Sequence, residues 1–181
     1  QLIAAGDYDA LSFLTSLISL ESHHDSAFSA FKIYIEKYNN TAAGHLKLAS
    51  IALDQRKYDD VISRLAKLDG KLTPDLAEDA RVLKSKALYK QGNKQESMQV
   101  MKDLVLDSNV DNTSRLEYAR LLMLDDDQTG AIVQLEAIYT NSPENLEVLK
   151  SLIALYISQG KFVEAEKRAK VLVKQEAYKS L

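Results

Sequence analysis

Residues 158–166 read Ser-Gln-Gly-Lys-Phe-Val-Glu-Ala-Glu, SQGKFVEAE, a short polar break between two helical runs. Its offsets recur. Ala165 follows Gly160 by five residues, Ser97 follows Gly92 by five, Ala131 follows Asp126 by five and Val61 follows Arg56 by five. Counting back fourteen from each turn residue gives starts at 42, 78, 112 and 146, spaced 36, 34 and 34 apart, and one more step of 34 reaches Tyr8. Self-similarity at a fixed period of this length is the mark of a repeat architecture.

Helical periodicity surrounds these turns. Leu11, Leu14, Thr15 and Ile18 follow the i, i+3, i+4, i+7 spacing of one helix face, as do Ala27, Phe31 and Tyr34 with Ile35 alongside. Ten such segments of about 12–16 residues run along the chain, joined by breaks such as NNT, DQRK, QGN, DDDQ and NSPEN. Connections this short make neighbouring helices antiparallel.

Composition agrees. The chain has 181 residues, of which 46% are apolar, with only 2 Pro and 6 Gly. Strand-and-turn folds need breakers far more often. The net charge of −3 with interspersed signs offers no basic tract, so nucleic acid is not an expected partner. The absence of cysteine excludes thiol catalysis, disulfides and cysteine-based zinc sites. No apolar run approaches the ~20 residues that span a bilayer. The chain opens at Gln1 rather than Met and is read as a processed or excised piece, so a missing targeting segment carries no meaning.

With its 34-residue beat, the sequence resembles tetratricopeptide repeats over about 172 of its 181 residues. The unit from Leu146 matches the family pattern at Leu149, Leu152, Tyr156, Gly160, Phe162 and Ala165. The unit from Asn112 matches at Tyr118, Ala119, Leu122, Ala131, Leu135 and Pro143. The unit from Glu78 matches at Ser85, Leu88, Gly92, Ser97, Met101 and Leu104, and that from Ala42 at Leu48, Ala49, Tyr58, Val61, Leu65 and Leu68. The resemblance implies an all-α, right-handed helical solenoid of about five helix-turn-helix units, ten helices in all. The whole of 1–181 forms one array, with units at 8–41, 42–77, 78–111, 112–145 and 146–179 and a lead-in at 1–7. Small residues at the eighth and twentieth places let the two helices of a unit approach closely, and large ones fill the space between units. Ile153 departs from this by being large, and two extra residues near Leu72-Thr73-Pro74 widen one loop. Pro74 and Asp75 then restart the next helix early.

GDYDA at 6–10 has the look of an intra-unit turn. Taken so, it makes 42–54 a second helix, yet 42–54 is followed by QRKY, itself an intra-unit turn. The downstream register makes 8–20 a first helix, His23-His24 its turn and Ala27, Phe31 and Tyr34 the second-helix core. It is the preferred one, with Asp7 as a cap and QLIAA as a remnant of a preceding helix.

Catalytic and metal signatures are missing. His23-His24-Asp25 are adjacent residues that do not share a helix face, and Asp125-Asp126-Asp127 occupies a polar turn. Asp107 to Asp111 opens like a calcium loop, but Asn112 and Tyr118 stand where Gly and Glu are required. No phosphate loop or nucleophile signature occurs. The expectation is a non-enzymatic protein with no cofactor and no metal.

In the family, first helices line a concave groove. The places that point into it give Leu46, Leu53, Val82, Lys86, Tyr89, Leu116, Arg120, Met123, Lys150 and Ile157. An apolar surface with cations suits an extended or helical protein segment, although some of these apolar residues also suit packing between helices. The expected function is a protein–protein interaction scaffold or adaptor that binds a peptide or protein segment in this groove. The segments at 35–53 and 114–166 resemble Gram-negative envelope adaptors, which implies a periplasmic or outer-membrane-associated lipoprotein, with the cytosol as the other location. The alternative function is a structural module that oligomerises by stacking its uncapped ends, as a homodimer through the C-terminal helix.

Overall fold

The computed structural model describes residues 24–38, 41–68, 70–106 and 110–179. These residues contain helices and turns and no strand. In chain order the helices are α1 (His24–Tyr38), α2 (Ala42–Asp54), α3 (Tyr58–Ala66), α4 (Pro74–Lys90), α5 (Lys94–Val105), α6 (Asn112–Leu124), α7 (Gln128–Asn141), α8 (Leu146–Ser158) and α9 (Phe162–Lys179). The lead-in, GDYDA, the expected helix at 8–20 and His23 lie outside the described residues. His24 opens α1 instead of standing in a turn.

Four helix pairs are closed by one and the same turn. Arg56, Gly92, Asp126 and Gly160 all take positive φ, of 60, 90, 63 and 69°. Each turn makes the two bonds of a Schellman stop. The residue after the turn donates back to the fifth residue upstream: Lys57 to Ala52, Asn93 to Leu88, Asp127 to Leu122 and Lys161 to Tyr156, at 2.8–2.9 Å. The turn residue itself donates to Leu53, Tyr89, Met123 or Ile157 at 3.0–3.2 Å. Glycine adopts this conformation freely. Arg56 and Asp126 hold it against a Cβ penalty of about 1 kcal/mol.

Caps start the next helices. Thr41, Asp127 and Asn145 accept from the backbone N–H of Gly44, Gly130 and Val148 at 3.1, 2.8 and 3.1 Å. α4 uses Pro74 in its first turn, with Thr73 extended before it and Asp75 against the helix N-terminus. It therefore begins four residues ahead of Glu78.

Five residues beyond each turn, Val61, Ser97, Ala131 and Ala165 are buried at the contact with the preceding helix. Their counterparts Ala49, Ser85 and Ala119 are fully buried too. In the α4–α5 pair both places are serine. Ser97 Oγ donates to the Ser85 carbonyl at 2.8 Å, and the two hydroxyls lie 2.9 Å apart, so each satisfies the other in a dry contact. The large Ile153 stands at the same place in α8 and stays half-buried.

The chain divides into two compact units, residues 1–100 and 101–181. The core of the first joins Phe28, Phe31, Tyr34 and Ile35 of α1 to Leu48, Ala49, Ile51 and Ala52 of α2, to Val61 and Leu65 of α3, and to Ala80 and Ala87 of α4. In it α4 packs on both α2 and α3, the two helices of the pair before it. The core of the second joins Ala119, Ile132, Leu135, Ile138, Val148, Leu152, Tyr156 and Ala165 from α6 to α9. Each unit buries its apolar faces only by stacking pairs.

Candidate functional site

The ten residues expected to face a groove all fall on the first helices α2, α4, α6 and α8. Their surroundings differ. On α2, Leu46 is 6% exposed and belongs to the core, while Leu53 is half-buried against it. On α4, Val82, Lys86 and Tyr89 are half-buried, and the Lys94 ammonium lies 5.5 Å from the centre of the Tyr89 ring.

The second unit holds the most open part of the set. On α6, Leu116 packs at the edge of the core, whereas Arg120 and Met123 are exposed, as is the neighbouring Leu124. On α8, Lys150 and Ile157 are exposed. Arg120 donates from Nη1 to Glu117 Oε1 at 2.7 Å and from Nη2 to Glu147 Oε1 at 3.3 Å. That second bond ties α6 to the first turn of α8. The same two helices expose Met123, Leu124 and Ile157, and Arg120 is already partnered by two carboxylates. The charge at this point is mixed rather than purely cationic.

A buried polar network fastens α7, α8 and α9 together. Arg168 of α9 donates to both carboxylate oxygens of Glu136 on α7, through Nε at 3.0 Å and through Nη2. The Tyr156 hydroxyl of α8 donates to Glu136 Oε1 at 2.8 Å. The Arg168 guanidinium stacks 4.2 Å from the Tyr139 ring centre. Burial, together with the bond and charge of Glu136, pushes the Tyr156 phenol up to about 12. Burial opposes the Arg168 charge, but the bond to Glu136 outweighs it and raises the Arg168 pKa. The phenol stays protonated and the guanidinium charged at any ordinary pH, so the network is a fixed brace and not an acid–base pair. In the sequence Tyr156 is legible as an aromatic at its family place, and its partners are not. The only signal was a Glu and an Arg 32 residues apart, close to the repeat period.

His45 of α2 is half-buried. Burial and then the nearby Arg64 charge hold its pKa below the usual imidazole value. Among the described residues no group of three His, Cys, Asp or Glu is placed to hold a metal ion. No helix among them is long and apolar enough to cross a membrane.

No family model matches the chain, and no curated protein matches it. Solved structures do. The crystal structure of MamA superposes with a TM-score of 0.67 at 20% identity, over 90% of this chain and 94% of that one. TTC0263, a thermophilic TPR protein of Thermus thermophilus, gives 0.63 at 18% identity over 92% and 90%. YrrB, a TPR protein with an unusual peptide-binding site, gives 0.59 at 13% identity over 94% and 86%. With its repeated turns and stacked helix pairs, this chain has the all-helical fold of the tetratricopeptide-repeat proteins.

Proposed function

We propose that the chain is a non-enzymatic protein–protein interaction scaffold, built of repeat units at 8–41, 42–77, 78–111, 112–145 and 146–179, that holds a peptide or protein segment against its first helices. One observation carries the reading. The α6–α8 face leaves Met123, Leu124 and Ile157 36, 63 and 52% exposed, although the core beside it is closed. Large apolar side chains left exposed on two first helices joined by the Arg120–Glu147 bond offer a partner apolar contact area, and methionine adapts to varied partners. Each such side chain that a partner covers contributes about 1.5–3 kcal/mol, or roughly ten- to hundredfold in affinity. The YrrB likeness supports a peptide as the occupant. The envelope-adaptor resemblance of 35–53 and 114–166 extends the proposal to a periplasmic client carrier, which cell fractionation tests. The experiment for the function itself is a pull-down with the whole chain beside a Met123→Ser/Ile157→Ser variant of unchanged circular dichroism. Loss of the specific partners supports the reading, and equal recovery removes this face from it.

A second reading, structural oligomerisation, rests on α9. Phe162, Val163 and Val173 are 67, 77 and 67% exposed. Tyr58, at the place of Phe162 in the α2–α3 pair, is half-buried against the core. Sedimentation equilibrium decides it. A concentration-dependent dimer that Val163→Glu/Val173→Glu abolishes favours this reading, and a monomer throughout ends it.

A further inference from the structure

Between α3 and α4 the first unit has a second, separate opening. Ile62, Leu65 and Ala66 of α3, Gly70 and Leu72 of the link, and Ala77, Ala80, Arg81 and Lys84 of α4 line a cleft of about 320 Å³.

Its origin is legible in the repeat. Leu48, Tyr118 and Leu152 occupy the seventh place of their units and are 0, 8 and 0% exposed. In α4 that place is Lys84, whose side chain is 42% exposed. Three residues earlier, Leu149 of α8 is fully buried, while Arg81 of α4 is exposed. At the seventh place a side chain that is buried in the other three units is thus a half-exposed cation, and at the fourth, which holds His45, Arg115 and Leu149 elsewhere, α4 carries the exposed Arg81. Ala66 stands across the joint, and Ala77 and Ala80 line it from α4 itself, all too short to fill it. The widened link moves the start of α4 to Pro74, and Gly70 takes φ +72° to make the turn. What remains is an apolar floor with two positive charges one helical turn apart at its lip.

We propose that this cleft is a docking site for a peptide segment in which a large apolar side chain is flanked by a carboxylate. The apolar side chain takes the place of the missing plug, and the carboxylate meets Arg81 and Lys84. The volume lies at the small end of ligand pockets, which suits one or two side chains better than a whole ligand. Charge complementarity selects the acidic flank, since a neutral apolar peptide offers no counter-charge to the two cations facing it. Lys84 meets Glu96 at 3.7 Å in a solvated pair, an interaction weak enough for the ammonium to turn to an incoming carboxylate. The site lies on a different joint from the α6–α8 face and does not depend on it.

The test pans a library of random seven-residue peptides against the whole chain, in parallel with Arg81→Gln/Lys84→Gln and with Met123→Ser/Ile157→Ser. Both variants change exposed or half-exposed side chains, and their melting curves check the fold. The expected result is enrichment of peptides with Leu, Ile or Phe beside Asp or Glu. These should lose about tenfold or more of their affinity on the Gln variant and keep it on the Ser variant. On titration with such a synthetic peptide, methyl resonances of Ile62, Leu65 and Leu72 should shift and saturate. Replacing the acid of the peptide by Asn or Gln should weaken it similarly. Peptides without that pattern, binding unaffected by Arg81→Gln/Lys84→Gln, or no enrichment at all would overturn the proposal. Binding lost only on the Ser variant assigns the peptides to the α6–α8 face and also overturns it.

Discussion

α4 and α8 are both first helices, begin a repeat pair and end in the same glycine turn, at Gly92 and Gly160. Their inward sides differ. α8 presents Leu149, Leu152 and Tyr156, all buried, and Tyr156 is tied to a fixed carboxylate–guanidinium brace. α4 presents Arg81, Lys84 and Leu88 at the same places, with only Leu88 buried, and puts Ser85 at its contact with α5, so one joint is open and one contact is polar. The backbone frame is held constant by the turns, and the side-chain chemistry inside it is free to vary from pair to pair. A repeat fold can thus give up packing at one joint while its neighbours keep the array standing.

The comparison breaks most visibly with alanine. Leu152→Ala should cost about 2–5 kcal/mol in urea unfolding, the usual range for emptying a closed core site. Lys84→Ala, at the equivalent place of α4, should stay within about 0.5 kcal/mol. Equal losses would mean that the α3–α4 joint is as closed as the rest.

Glu136→Ala sharpens the α8 side. It strands Arg168, 17% exposed, and the Tyr156 hydroxyl. A destabilisation of about 2 kcal/mol is expected in the same assay, because an unpaired buried charge costs more than the pair is worth. Ser85→Ala on the α4 side should cost about 1–2 kcal/mol by orphaning Ser97. Ser85→Ala/Ser97→Ala should recover most of that, since alanine stands at both places in the α6–α7 pair. A double variant no better than the single would show that the serines are needed for more than each other.

The turns predict a gain. Arg56→Gly and Asp126→Gly each should raise stability by up to about 1 kcal/mol, read as a higher melting temperature, and bring those turns level with Gly92 and Gly160. The smallest effect belongs to His45. Its folded-state pKa lies below the unfolded value, so folding binds fewer protons there. Its contribution is complete above about pH 6.5 and is lost as the pH falls toward the lowered folded value. His45→Gln should flatten the stability profile across that window and leave it unchanged above.

The sequence disclosed the frame because the frame is local. Gly160, Gly92, Asp126 and Arg56 were found from offsets alone, and these four carry the left-handed turns. Helix type, pairing and the early restart at Pro74 follow from neighbours in the chain. Surface character did not. Leu46 and Met123 both hold expected groove places on first helices, yet one is buried in the core and the other exposed, because exposure depends on what stacks from the next helix. Arg120 is legible as a groove cation, but its partner Glu147 lies 27 residues away. The cleft at Arg81 and Lys84 went unread for a related reason. A pattern match records residues that fit and passes over places where the fit is missing.

The repeated turn also bears on how the molecule is made. Each stop closes within six consecutive residues, such as Ala52 to Lys57. No distant strand must be found before a hairpin can form, so little loop entropy opposes it. A nascent chain leaving the ribosome can complete one hairpin, then set the next against it, with only the latest addition waiting for a neighbour.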